Sequence, residues 1–148
     1  MAADEWEQRA MSRITVAEFQ AIMREQLPFA QAMGPEVVEL SPERTVFRLP
    51  YKSDFLRPGG TIGGPLLMAL ADLALYGAVM AALGPVVQAV TASLTINFLR
   101  LPPPADIIAH ARLIKVGKRL AVGTVELFSA EDPDMVAHVA GSYSLPPR

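Results

Sequence analysis

The 148-residue chain has no cysteine, which excludes disulfides, thiolate nucleophiles and thiolate-bound metals. Charge is also scarce, at 19% of residues, and nearly balanced: 13 Lys and Arg against 15 Asp and Glu leave a net charge of −2. Such a balance gives no global field for binding nucleic acid. The two histidines, His110 and His138, lie on separate strand-like segments with no acidic or cysteine partner at ligand spacing, so no metal site is expected. The G-x-S-x-G nucleophile elbow, the P-loop and the dinucleotide fingerprint are missing too. The opening MAADEWEQRA is acidic, without the basic start and apolar run of a secretory signal, and the expected location is the cytoplasm.

Apolar sequence is what the chain has in quantity. Hydrophobic residues make up 51% of it, enough at this length for one domain over residues 1–148, with 1–13 as a flexible arm. Thr15 and Glu18 have capping-box spacing and start an amphipathic helix expected to end near Pro28. Val37–Leu40 and Thr45–Leu49 flank Ser-Pro-Glu-Arg as a hairpin, and a Pro- and Gly-rich loop follows over 50–60. Next comes a helix apolar on every side, with Pro65 in its first turn and Gly84-Pro85 at its end.

Beyond Pro85 the period changes to two. In TASLTINFL, Leu94, Ile96 and Phe98 share one face, and Ser93, Thr95 and Asn97 the other. Ile107–Val116, Leu120–Ser129 and Met135–Leu145 follow, with short separators that favour antiparallel neighbours. Segregated helices and successive antiparallel strands indicate an α+β domain. One sheet curved round one buried helix explains why that helix has no polar face. A membrane span is disfavoured, because Asp72 would sit near mid-bilayer at a cost of roughly 2.5–3.5 kcal/mol.

Asp72 is the anomaly in this helix. Between Phe55 and Ala105 the only other charged residues are Arg57 and Arg100. Burial is expected to raise its pKa unless donors or a cation offset it, and a water-poor carboxylate can act as base or nucleophile. It can equally be a structural acceptor for a neighbouring loop. Gly63 and Gly64 leave the amides at the helix start unobstructed, a candidate oxyanion site, or else supply a tight turn. Gly64 and Asp72 are eight residues apart, about 12 Å along a helix. One carbonyl cannot reach both, so joint action requires an antiparallel second copy.

RPGGTIGGPLLMALADLALYGA resembles the glycine-rich loop and LAD-bearing helix of hot-dog-fold thioesterases of the phenylacetyl-CoA, or PaaI-like, type. TINFLRLPPPADIIAHARLIKVGKRLAVGTVEL resembles their next two strands, and the likeness covers roughly residues 35–145. It implies a hot-dog fold, an antiparallel sheet round one long central helix, extended across a homodimer and often a homotetramer. It implies an acyl-CoA substrate, with Asp72 as base or nucleophile and Gly64 as the amide that polarises the thioester carbonyl. No cofactor is implied, coenzyme A being part of the substrate.

The departures are specific. Gly63 stands where that family commonly has histidine, Pro65 at its second glycine, and Arg57 where asparagine is frequent. Arg57, Gly63 and Pro65 are therefore expected to be substrate-binding, with Arg57 orienting a carboxylate or engaging Asp72 across an interface. Ser93, Thr95 and Asn97 are candidates to line an acyl pocket, or ordinary sheet positions. Lys115, Lys118 and Arg119 are candidates for the coenzyme A phosphates, or a solvated turn. A non-catalytic acyl-CoA binding protein on the same scaffold is the alternative to a thioesterase, and a structural oligomer with a vestigial groove is the third.

Overall fold

A computed structural model describes residues 11–148, so the first ten residues of the expected arm lie outside the described residues. The Arg13 amide already donates to the Ala81 carbonyl at 2.7 Å. Helix α1, Val16–Gln26, begins as its sequence predicts: the Thr15 hydroxyl accepts from the Glu18 amide at 3.0 Å. It buries Phe19 and Met23. Pro28 does not end the helical region. It starts a second short helix, α2 (Pro28–Met33), because a first-turn position needs no amide proton, and Gly34 at φ +81° terminates it.

Strands β1 (Glu36–Glu39) and β2 (Thr45–Leu49) form the expected hairpin. The following loop holds a single 3-10 turn and two short paired strands, β3 (Leu56–Arg57) and β4 (Thr61–Ile62). Helix α3 runs Gly64–Leu83, followed by β5 (Val90–Phe98), β6 (Ile107–Val116), β7 (Leu120–Ser129) and β8 (Met135–Ser144). Among the described residues the main sheet has the order β1-β2-β6-β7-β8-β5, every neighbour antiparallel. It wraps α3, and α1 packs Phe19 against Phe47 of β2 and Tyr76 of α3. This is the α+β hot-dog architecture.

Helix α3 is long and apolar enough to cross a membrane, but two-thirds of its most apolar window is buried in the domain. It lies close on the sheet where side chains are missing. Gly123 and Gly141 are register partners on β7 and β8. Leu75 fits over the pair: a Cβ on Gly123 would lie 2.6 Å from Leu75 Cδ1, and one on Gly141 2.9 Å from Leu75 Cδ2. This contact fixes the depth of α3 on the sheet. It therefore also fixes Asp72, one turn earlier.

Candidate active site

Asp72 is half-buried, and its charge meets hydroxyls. Thr91 Oγ1 donates to Asp72 Oδ1 at 2.7 Å, and the Tyr143 hydroxyl donates to the same oxygen. The Tyr143 hydroxyl also reaches the Asp72 main-chain carbonyl at 2.8 Å. These are the donors whose presence the sequence left open. Burial, then the adjacent Asp72 charge, pushes the Tyr143 phenol up, so it remains a neutral donor. Oδ2 has no hydrogen-bond partner among the described residues, yet no fully buried side-chain oxygen lacks one. Oδ2 is thus not fully buried.

The backbone explains how Thr91 reaches the helix. Between Thr91 and Ser93 the β5–β8 register slips by one residue, leaving Ala92 as a bulge. A bulge reverses the side-chain alternation. Thr91 consequently joins the inward face of Leu94 and Ile96, while Ser93, Thr95 and Asn97 stay exposed on the sheet face turned from α3. Those three do not line the cleft at Asp72.

That cleft has a volume of about 670 Å³, and Asp72, Thr91 and Tyr143 stand at its wall. Helix α2, α3 and the start of β5 enclose it. Tyr76 holds the connection after α3 in place, donating to the Val87 carbonyl at 2.8 Å, and burial pushes its phenol up to about 12.

Arg57, Gly63 and Pro65 come together elsewhere, in a second cavity of about 360 Å³. The Arg57 guanidinium bonds the neighbouring Pro58 carbonyl at 3.3 Å. The two glycines differ in role. The Gly63 amide is already used by the Phe55 carbonyl at 3.1 Å, whereas the Gly64 amide has no acceptor among the described residues. Neither has positive φ, so neither is there for a left-handed turn. A Cβ on Gly64 would meet the Phe98 ring at 3.1 Å, while one on Gly63 would find only ordinary contacts at 3.8 Å and beyond. Gly64 is tightly packed against Phe98, but Gly63 is not tightly packed.

Lys115, Lys118 and Arg119 are exposed around the β6–β7 hairpin. Its turn is closed by the Gly117 amide on the Leu120 carbonyl at 2.8 Å. Arg148 adds a fourth cation there, bonding the Gly117 carbonyl at 3.3 Å. The hairpin lies at the Asp72 end of the sheet, since Ala121 pairs with Tyr143, which in turn pairs with Thr91. His110 packs edge-on against Phe128 on the outer sheet face, and burial lowers its pKa.

Sequence reasoning missed Thr91, Tyr143 and Arg148. Tyr143 reads as an inward strand aromatic, and no local signal gives Thr91 away, because strict alternation assigns it to the other face.

The comparisons with known proteins agree with this architecture. Residues 59–136 match the family model described as the thioesterase superfamily. A crystal structure of a provisionally assigned thioesterase from Silicibacter sp. superposes with TM-score 0.83 at 35% identity, covering 95% of this chain and 97% of that one. The phenylacetic acid degradation protein PaaI of Thermus thermophilus, in a mutant structure, gives TM-score 0.71 at 32% identity over 80% of this chain and 99% of its own. A provisionally assigned esterase of Pseudomonas aeruginosa is 31% identical over 86% of this chain and 95% of its own. Taken with the sheet wrapped round α3, these matches mean that the chain belongs to the thioesterase superfamily.

Proposed function

We propose that this chain hydrolyses a small-to-medium acyl-CoA at a site shared by two copies of itself, and that it does so in the cytoplasm. The observation that carries this reading is Asp72, which lines the larger cleft with Oδ1 held by two hydroxyls and Oδ2 without a partner among the described residues. The thioester carbonyl would accept from the free Gly64 amide, where the helix dipole favours an oxyanion. Asp72 then either takes a proton from the attacking water or attacks the carbonyl carbon itself. In both routes the C–S bond breaks, coenzyme A leaves as thiol, and water supplies the carboxylate oxygen. No cofactor enters this scheme.

Eight residues separate Gly64 from Asp72, about 12 Å of helix, so the scheme needs Gly64 of the partner subunit. Support comes from β5, an edge strand whose neighbourhood leaves Val90, Phe98, Leu99 and Leu101 exposed. An apolar edge with unpaired main-chain groups invites another strand. A second β5 pairing there antiparallel would lay two α3 helices side by side in opposite directions. The dimer is then the smallest complete catalytic unit. The four cations at the β6–β7 hairpin suit the coenzyme A phosphates.

The test is hydrolysis of an acyl-CoA series by wild type and Asp72→Asn. We expect kcat to fall by about two to four orders of magnitude with KM little changed, the signature of a group acting in the transition state. An unchanged rate removes Asp72 from the chemistry. Saturable binding of acyl-CoA with no turnover by wild type selects the non-catalytic binding protein, the reading motivated by the glycine at position 63, where the resemblance leads one to expect histidine.

A further inference from the structure

The cleft at Asp72 and the cavity at Gly63 share two lining residues, Phe29 of α2 and Ala69 of α3. Phe29 is 73% exposed, a large apolar side chain left at a boundary between two spaces. On its Asp72 side the walls are apolar, formed by Leu27, Ala30, Met33, Leu73 and Val87. Polar groups there are limited to Gln26, Tyr76 and the trio at Asp72. On the far side stand Arg57 and Asp54. An uncharged hydrocarbon chain fits the first space and meets charge in the second. Helix α2, which carries Phe29, lies outside the matched residues 59–136.

We propose that Phe29 sets the length of the acyl group, ending the apolar chamber beside Asp72 and closing it against the cavity at Gly63. This inference rests on the acyl-CoA reading above and names the class of acyl group: one that is apolar and uncharged at its far end. In the antiparallel dimer the cavity at Gly63 borders the other active site. Phe29 therefore keeps the acyl chain of one site out of its neighbour.

The experiment compares wild type, Phe29→Ala and Phe29→Trp on straight-chain acyl-CoAs from acetyl to palmitoyl, by kcat/KM and by thermal shift with the same compounds. Each methylene buried is worth about fourfold in kcat/KM until the chain meets the wall, and then the gain stops. Phe29→Ala moves that break to longer chains, and Phe29→Trp moves it to shorter ones. Phe29 is exposed, so neither substitution removes core packing. A break at the same chain length in all three proteins overturns the inference while leaving the hydrolase reading intact. No turnover by wild type, with a thermal-shift break that still follows residue 29, overturns the hydrolase reading and upholds the length wall.

Discussion

Gly123→Ala is the substitution that most directly tests how the helix holds its acid. The new Cβ would lie 2.6 Å from the Arg112 carbonyl oxygen and 2.6 Å from Leu75 Cδ1. The first is main chain in the β6–β7 ladder and cannot swing aside, unlike the second, the end of a flexible side chain. Overpacked cores lose about 1–3 kcal/mol, and a backbone clash belongs at the upper end. A loss of about 3 kcal/mol lowers Tm by about 6–12 °C in a domain of this size. At Gly141 the two tightest contacts, Leu94 Cδ2 at 2.6 Å and Leu75 Cδ2 at 2.9 Å, are side-chain ends, so Gly141→Ala is the milder change. Thermal and urea unfolding measure both. Trimming Leu75 to alanine in the Gly123→Ala background should leave most of the cost, because the carbonyl remains. A double-mutant cycle showing no coupling between positions 75 and 123, or a Gly123→Ala protein as stable as wild type, would refute the claim that the glycine pair sets the depth of α3.

Two further outcomes follow from side-chain geometry. Thr91→Val keeps shape but removes a hydroxyl bonded to a carboxylate, and should lower kcat/KM by about tenfold or more, while Thr91→Ser retains activity; equal loss in both would show that the methyl group, not the hydroxyl, matters. Asp106 is held below its ordinary value of 3.8 by the Tyr51 amide and then by Arg48, against the opposing effect of burial. A depressed carboxyl pKa adds stability that is complete above the unfolded value and is lost as pH falls through the folded one. Asp106→Asn should therefore lower Tm at neutral pH, with the gap closing only as pH falls from about 3.8 through the lower folded value; parallel Tm curves from neutral pH down through that range would contradict it.

Much of this molecule is legible in its sequence, for identifiable reasons. Ile107–Val116 and Leu120–Ser129 are separated by the three residues Gly117-Lys118-Arg119, and the expected limits match the strands residue for residue. Asp72 stands out because the surrounding sequence nearly excludes charge. Helix α2 is lost because Pro28 reads as a stop, although the same residue is an acceptable start and Gly34 lies at the right distance to end a short helix. Gly123 and Gly141 carry no signal until the register sets them side by side. Thr91 is hidden more deeply, since a period of two places it with Ser93, Thr95 and Asn97.

The bulge at Ala92 and the glycine pair belong to one device. Most of α3 is packed against the sheet, so the polar partners of a half-buried carboxylate on it come from inward positions of strands, which are normally apolar. Leu75 seated over Gly123 and Gly141 brings Asp72 close to β8, where Tyr143 is already inward. The register slip at Ala92 then turns one more residue, Thr91, to the same side. Were β5 regular, Thr91 would face outward, and Oδ1 would keep only the Tyr143 hydroxyl. The slip supplies a second donor without changing any of the apolar contacts of Leu94 and Ile96 further along the strand. Two donors on one oxygen fix the carboxylate and leave the other oxygen without a partner among the described residues.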